Sequence, residues 1–313
     1  MRFDATGEPS VLRLDEVPEP RAPRRDELLV RVTASSINGT DLGLRRGDVP
    51  VAVLGRLPYV PGFDLCGEVE ACGPAVSAFS PGDRIVALLS HAGGGQAERV
   101  LVRQDRAALA PRTVGDAEAA ALPLAGLTAL QALYARARLR AYAPGAGVLV
   151  LGAAGGIGSY AVQLATLADA HVTGVASGPK LDYVTGLGAD AVLDYRATAL
   201  PELDARWQVV LDTTGRYSFV DLARILTPDG VLVSTRPISR DALRRLRPSR
   251  FGGPRFTFVA TKPRSQDLAH LANLVETGRL RVPLDRVFPA GQAAAAHRHA
   301  EGEVRGKVVL TLA

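Results

Sequence analysis

Residues 148–164 read VLVLGAAGGIGSYAVQL: a short apolar run, a glycine-rich turn, and a segment whose apolar residues recur with helical spacing. A strand, a turn and a helix in this order make closely spaced glycines informative. Because Gly155 and Gly156 lack Cβ atoms, the backbone can approach a pyrophosphate, which free N–H groups at a helix N-terminus attract. Gly158 would let the helix pack closely on the strand. The segment predicts a dinucleotide-binding turn, the alternative being a glycine turn that serves packing alone.

Strands and helices alternate after residue 147. The predicted strands are Val148–Leu151, His171–Ala176, Ala191–Tyr195, Gln208–Asp212, Gly230–Ser234 and Phe256–Ala260. The predicted helices are Gly156–Ala168, Lys180–Leu187 and Phe219–Leu226. Six strands joined by helical crossovers predict an α/β fold with a doubly wound, parallel, six-stranded sheet of the Rossmann type.

The first third of the chain has a different pattern, made of short strands and turns. The predicted strands are Glu27–Ala34, Asp64–Ala71 and Arg84–Leu89, the last after the turn Ser80–Asp83. Turn signals at roughly ten-residue spacing favour a compact β-rich unit. Later predicted elements are the helices Thr128–Leu139 and Gln266–Thr277 and a terminal strand, Lys307–Leu312, which is expected to return to this first unit.

Composition and charge restrict the class of protein. The 313-residue chain is 47% hydrophobic and 22% charged, which is typical of a folded globular protein. Its formal charge of +5 raises the question of a nucleic-acid partner. The densest basic stretch is Arg240–Arg255, and its arginines at 244, 245, 247 and 250 have no aromatic side chains between them that would stack on bases. We therefore expect a solvated helix and loop there, and no nucleic-acid partner.

Membrane association and disulfide bonding are not expected either. The chain has no run of the ~18 apolar residues that a membrane helix needs, and its opening MRFDATGEP lacks an apolar signal-peptide core. Cys66 and Cys72 would lie ~20 Å apart in an extended strand, too far for a disulfide. Two cysteines also cannot supply a four-cysteine zinc lobe. The sequence predicts a cytoplasmic protein in which both cysteines serve packing.

The end of the second Rossmann strand bears on the choice of cofactor. Folds that prefer NAD place an Asp or Glu about 20 residues after the glycine turn, where it binds the ribose hydroxyls. Here that position reads Ser177-Gly-Pro-Lys180 and has no carboxylate. A hydroxyl and an ammonium attract a 2′-phosphate, and Tyr195 at the end of the third strand is placed to add its hydroxyl. These residues favour NADPH over NADH, with a plain surface position as the alternative for Lys180.

Several blocks, in order along nearly the whole chain, resemble the medium-chain dehydrogenase/reductase family. They are Ser36–Asp41 followed by Gly47, Pro61–Val69, Pro81–Val86, Gly94–Glu98, Ala120–Ala129 and Gly306–Leu310. The resemblance implies a GroES-like β-rich catalytic domain at residues 1–122 and 262–313, a Rossmann domain at 123–261 that binds NADPH, and an active-site cleft between them. It also implies a homodimer formed by edge pairing of the strand Phe256–Ala260.

The same resemblance implies the site residues. Those expected to bind the cofactor are Ala154, Gly155, Gly156, Ile157, Ser177, Lys180, Tyr195, Thr214, Phe258 and Ala260. Asn38 and Thr128 would lie near the nicotinamide, with Asp41 fixing the local loop. A turn or capping role is the alternative for each of Asn38, Asp41, Thr128 and Thr214.

Zinc-dependent members of the family carry a Cys where this chain has Asn38, and Gly-His-Glu where it has Gly62-Phe63-Asp64. Without a thiolate or an imidazole a catalytic zinc ion lacks its preferred ligands, and Asp41 with Asp64 makes a poor zinc site. The resemblance is therefore to the zinc-independent quinone oxidoreductase branch. His91, at the edge of a glycine-rich turn, is expected to be structural.

A zinc-free site suits hydride transfer to an acceptor that stabilises its own developing anion, such as a quinone or an α,β-unsaturated carbonyl. Many quinone and enoyl reductases have a tyrosine shortly after Arg-x-Gly, whereas this chain reads Arg45-Arg46-Gly47-Asp48. Tyr59, either arginine or water remain as substitutes. Quinone reduction is the leading hypothesis, followed by reduction of a conjugated enone or enoyl group. A non-catalytic NADPH-binding redox sensor is the third.

Overall fold

The computed structural model describes residues 1–48, 57–90, 92–142, 144–236 and 253–312; His91 and residues 240–252 of the basic stretch lie outside this range. The chain divides into two compact units, Met1–Leu127 together with Lys262–Ala313, and Thr128–Thr261. The first boundary falls after Leu127, not after residue 122 as the sequence predicts. The physical reason is that Leu124 donates its N–H to Asp64, which bonds this segment to the first unit.

Strands and helices are numbered in chain order. The strands are β1 Glu27–Ile37, β2 Asp64–Cys72, β3 Arg84–Leu88, β4 Arg99–Arg103, β5 Ala107–Leu109, β6 Gly147–Leu151, β7 His171–Ala176, β8 Ala191–Asp194, β9 Trp207–Asp212, β10 Leu226–Ser234, β11 Arg255–Phe258, β12 Leu284–Pro289 and β13 Lys307–Thr311. The α-helices are α1 Gly39–Arg46, α2 Asp116–Ala120, α3 Pro123–Leu130, α4 Gly156–Thr166, α5 Leu181–Gly186, α6 Phe219–Ala223, α7 Ser265–Glu276 and α8 Ala293–Ala300.

The sheet of the first unit is organised around β1. Its strand order is β12-β13-β1-β2-β3-β5, and β4 also pairs with the start of β1. Leu28, Val30 and Val32 alternate with half-buried residues along β1, and this period-two pattern directs their side chains into one core. The last residues of β1, Ala34–Ile37, pair with β13, so the terminal strand returns to this unit as predicted.

The second unit contains a six-stranded sheet in which all neighbouring strands are parallel, in the order β11-β10-β9-β6-β7-β8. From β6 the chain first adds β7 and β8 on one side, and then β9, β10 and β11 on the other. The prediction of an α/β fold with a doubly wound six-stranded sheet is confirmed. The strand order reverses between β6 and β9, and parallel sheets bind ligands at the carboxyl end of that switch point.

Two predicted helices differ from the structure. The helix predicted at Phe219–Leu226 ends at Ala223, and β10 begins at Leu226. The reason is that Leu226 pairs with Trp207 of β9, so strand pairing takes the residue at the end of the predicted helix. The helix predicted at Thr128–Leu139 instead begins at Pro123, whose fixed φ suits a first helical position, and it continues beyond Leu130 as a π-helical segment.

Other elements were not predicted at all. They are β4, β5, β12, α1, α2 and α8. The shortest of them, β5 and α2, span three and five residues, too few to display a period in the sequence.

Glycines set how closely helices approach the six-stranded sheet. A Cβ added to Gly158 on α4 would lie 2.1 Å from the carbonyl oxygen of Gly152. A Cβ on Gly174 of β7 would lie 2.3 Å from the Cγ1 atom of Val184 on α5. Real Cβ atoms do not approach other atoms this closely, so both contacts require glycine.

We expect Gly158→Ala to lower the free energy of unfolding by about 3 kcal/mol, because α4 must move away from the turn. Gly186→Ala is the matched control: a Cβ at this helical position meets nothing within 4 Å, so a neutral or slightly stabilising effect is expected. Urea denaturation of both variants measures the difference. Equal effects would contradict the close-approach role of Gly158.

Candidate active site

The corner between β1 and α1 contains two of the predicted site residues. Asn38 directly precedes α1, and its backbone N–H donates to the carboxylate of Asp41, 2.9 Å away, in the first turn of that helix. The other oxygen of Asp41 accepts from the N–H of Gly62 at 2.8 Å. Asp41 is fully buried. It therefore ties the corner to the segment before β2.

Asp64, the first residue of β2, is also fully buried and accepts hydrogen bonds at both oxygens. Oδ1 accepts from the backbone N–H of Leu124 at 2.7 Å, near the start of α3. Oδ2 accepts from Nδ2 of Asn38 at 3.0 Å and, through a short bond, from the hydroxyl of Ser36. One carboxylate thus joins the end of β1, the start of β2 and the start of α3.

Lys307, the first residue of β13, extends its side chain into the same cluster. Its ammonium donates to the carbonyl oxygen of Ile37 at 3.0 Å and, through a short bond, to Oδ1 of Asn38. Nζ lies 3.8 Å from Oδ2 of Asp64. Lys307 was not among the site residues predicted from the sequence. Its only signal was its place in the family block Gly306–Leu310, because a lysine in a terminal strand is ordinarily exposed.

Burial dominates the electrostatics of this cluster. It raises the pKa of Asp41 to about 6, against bonds from Gly62 and Asn38 that lower the pKa. It also raises the pKa of Asp64, and Lys307 opposes that rise. For the lysine the direction reverses: burial lowers the pKa of Lys307, while the two carboxylates raise it. The three ionisable groups therefore depend on one another for their charge.

The glycine turn of the second unit has the geometry expected of a pyrophosphate site. Gly152 has a φ of +79°, which favours glycine, and the N–H of Gly155 donates to its carbonyl oxygen. Gly155 precedes α4 and offers no side chain to cap the helix, so the first turn presents its N–H groups outward. Gly156 and Ile157 are partly exposed there, whereas Ala154 is buried. This cradle fits a dinucleotide phosphate.

The residues predicted to favour a 2′-phosphate lie at the carboxyl ends of β7 and β8. Ser177 is buried, while Lys180 and Tyr195 are partly exposed. Two cations missed by sequence reasoning stack on the tyrosine: the guanidinium carbon of Arg216 lies 4.5 Å from the Tyr195 ring centroid, and that of Arg196 lies 5.6 Å away. The signal for them was weak, because an arginine in a turn is usually only solvated.

A carboxylate also lies near this group. Asp194 ends β8, and its Oδ2 atom lies 2.8 Å from where a Cβ on Gly178 would be. The other oxygen, Oδ1, accepts from the backbone N–H of Arg196 at 2.9 Å. A carboxylate therefore lies beside the tyrosine and the arginines at these strand ends.

The remaining predicted residues of the second unit have local partners or are exposed. Thr214 donates its N–H and its hydroxyl to Asp212 at 2.8 Å each, which closes the turn after β9. The hydroxyls of Thr128 and Thr261 are 2.6 Å apart. Phe258, on the edge strand β11, is 46% exposed. Ala260 is exposed as well.

The substitutes considered for the absent tyrosine have structural roles. Arg45 is 1% exposed and pairs with Glu301 and with the carbonyl oxygen of Gly7. Tyr59 is 3% exposed and packs against Phe3, with ring centroids 5.6 Å apart. Burial also raises the pKa of Tyr59 well above its usual value. Arg45 is therefore bound to partners within the first unit.

The Asn38 cluster does not suit a metal ion. Across the part of the chain that the structure describes, no group of three or more His, Cys, Asp or Glu side chains is arranged to hold one. Within the cluster, the oxygen of Asn38 already accepts from the ammonium of Lys307. Since an ammonium only donates hydrogen bonds and repels cations, this donor set does not fit zinc.

Comparison with known proteins places the chain in a family. Residues 24–112 match the family model of the alcohol dehydrogenase GroES-like domain, and residues 187–310 match that of zinc-binding dehydrogenases. A chloroplast envelope quinone oxidoreductase homolog of Arabidopsis thaliana is 33% identical over 94% of this chain and 92% of its own. The chain belongs to the quinone oxidoreductase branch of the medium-chain dehydrogenase/reductase superfamily.

Two further proteins illustrate the range of this branch. The NADPH-dependent alkenal/one oxidoreductase of Arabidopsis thaliana chloroplasts is 31% identical, over 92% of this chain and 72% of its own. The solved structure of the quinone oxidoreductase from Coxiella burnetii superposes with a TM-score of 0.87 at 29% identity, covering 100% of this chain and 98% of the other. The GroES-like assignment of the first unit is thereby confirmed.

The raised pKa of Asp41 predicts a pH effect on stability. Because the folded state binds this proton at about pH 6 and the unfolded chain only near pH 4, the contribution of Asp41 to stability is complete below pH 4 and is lost as the pH rises through 6. Between those limits the stability of the wild type relative to Asp41→Asn should fall by about 3 kcal/mol. Urea denaturation of both proteins across this range measures it, and a constant difference would contradict the prediction.

Proposed function

We propose that the protein is a zinc-independent, NADPH-dependent oxidoreductase that transfers hydride to a quinone. The observation that carries the proposal is the cradle at the start of α4, with Ser177, Lys180 and Tyr195 at the carboxyl ends of β7 and β8 in the same sheet. The named activity of the Arabidopsis quinone oxidoreductase homolog supports it. A nicotinamide cofactor bound there would supply the hydride.

The preference for NADPH is supported by charge. Lys180, Arg196 and Arg216 follow the carboxyl ends of β7, β8 and β9, where a 2′-phosphate would bind, and the carboxylate of Asp194 lies among the same strand ends. A guanidinium stacked on an aromatic ring can direct its planar edge at a phosphate and form paired hydrogen bonds with it. The phosphate would also accept from the hydroxyl of Ser177. In NADH this position carries only a hydroxyl, so these contacts favour NADPH.

Independence from zinc is supported by the cluster around Asn38. Its polar atoms are already bonded to one another and to the Lys307 ammonium, and the charged members are buried. In such a site no metal ion polarises the substrate oxygen. Positioning of the substrate and hydrogen bonds to that oxygen take over this role. Asn38 and Thr128 are the residues we assign near the nicotinamide, with Asp41 holding the loop.

Reduction of a conjugated enone is the second candidate, favoured by the likeness to the alkenal/one oxidoreductase. The two reactions differ in the protonation step that comes after hydride transfer. A reduced enone needs a proton at carbon, while a quinone takes protons at oxygen, where water supplies them readily. Arg45 and Tyr59, the nearest substitutes in sequence for a donor, are buried and packed. That arrangement favours the quinone.

Assembly and location complete the proposal. Among the residues that the structure describes, β11 is an edge strand of the six-stranded sheet. Its exposed Phe258 suits edge pairing in a homodimer. Among the described residues no helix is long and apolar enough to cross a membrane. A cytoplasmic location and the absence of a nucleic-acid partner stay predictions.

We expect Lys180→Ala to raise the Kd for NADPH about tenfold to 100-fold and to leave that for NADH unchanged, because only NADPH carries the 2′-phosphate. Arg216→Ala should act in the same direction. Arg206→Ala is the control, since its guanidinium bonds the carbonyl oxygens of Leu203 and Ala205 in a separate turn. Nucleotide fluorescence titration measures all three. Equal losses for both nucleotides would refute the 2′-phosphate assignment.

The acceptor is tested with NADPH and a panel of benzoquinones, conjugated enones and enoyl thioesters, compared by kcat/KM. We expect the highest values for quinones, because they need no protonation at carbon. Activity restricted to enoyl thioesters would remove the quinone assignment. Tight NADPH binding without turnover of any acceptor would instead favour a redox sensor.

A further inference from the structure

The carboxamide of Asn38 is held at both ends by groups that leave it one orientation. Its Nδ2 atom donates to Oδ2 of Asp64 at 3.0 Å, and its Oδ1 atom accepts from the ammonium of Lys307. A carboxylate only accepts and an ammonium only donates. Turning the amide over would set nitrogen against nitrogen and oxygen against oxygen. The two ions therefore fix which end of Asn38 carries the NH2 group.

The ions that hold Asn38 are themselves removed from water. Asp64 and Asp41 have no exposed surface, and Lys307 is 4% exposed. A buried ion without a partner of opposite charge is strongly destabilising. Lys307 is the positive side chain of this cluster, 3.8 Å from the Asp64 carboxylate, and its third contact is the carbonyl oxygen of Ile37 at the end of β1.

We propose that Lys307 is a positioning residue of the reductase, whose buried ammonium offsets the charge of the buried carboxylates and orients the Asn38 amide. The part that concerns catalysis rests on the proposed function, which puts Asn38 near the nicotinamide. The charge balance and the orientation of Asn38 do not depend on that function.

The charge balance is tested by a double-mutant cycle between Lys307→Met and Asp64→Asn. Lys307→Met leaves two carboxylates buried without a cation, and we expect a large drop in Tm or failure to fold. Adding Asp64→Asn removes one of them, so the double variant should be more stable than Lys307→Met alone. Val309→Ala is the control for strand packing, since Val309 lies on the same strand, is fully buried and has an apolar side chain; adding Asp64→Asn to it should only lower Tm further.

The orientation of Asn38 is tested in the double variant. Without the ammonium, and with an NH2 group now available at position 64, the Asn38 amide is free to turn over. We therefore expect stability to recover while kcat with NADPH and a quinone stays on the order of tenfold to 100-fold below wild type. The side-chain amide resonance of Asn38, assigned through its loss in Asn38→Ala, should shift as well. Val309→Ala should retain both the wild-type kcat and the wild-type resonance.

Each part has an outcome that overturns it. Charge balance is refuted if the double variant is less stable than Lys307→Met. It is also refuted if the double variant fails to fold, whether or not Lys307→Met folds. Recovery of kcat together with stability, or an unmoved Asn38 resonance, refutes the positioning role. Failure of the proposed function is separate: wild-type protein would then reduce no quinone, while Tm and the Asn38 resonance still report on Lys307.

Discussion

A fully buried carboxylate must have its oxygens occupied by donors, and Asp64 meets this requirement with donors from different parts of the chain. They come from the β1–α1 corner and from the start of α3, while the Lys307 ammonium of β13 lies close by. Satisfying one anion thus brings these segments of the first unit together. The β1–α1 corner cannot shift without leaving a buried charge unpaired, which is strongly unfavourable.

The second unit depends on a steric constraint instead. Its helices approach the parallel sheet so closely that the backbone of one element occupies the space of a side chain on the other. Gly158 against the Gly152 carbonyl is the clearest case. Gly155, which precedes α4 in the same turn, has no side chain that could cap the helix.

Both units place cations of the chain itself next to polar or aromatic side chains. In the first unit the positive charge is a lysine side chain delivered by the terminal strand. In the second unit arginines at the strand ends stack on Tyr195. In both places the chain itself provides the cations. An ammonium orients by donating hydrogen bonds, whereas a zinc ion would also accept electron pairs from a substrate.

Sequence alone determined the alternation of strands and helices after residue 147 and the glycine turn, because the spacing of apolar residues and of glycines is visible among neighbouring residues. It also showed that Asn38, Asp41 and Asp64 stand in the family blocks of the first unit. It did not find Lys307, Arg196 or Arg216, and it started α3 too late. Tertiary structure decided that Lys307 is buried beside Asn38 and that Arg216 lies over Tyr195. The physical reason is that both contacts join residues far apart in the chain, and a lysine or arginine shows no local sign of a distant partner.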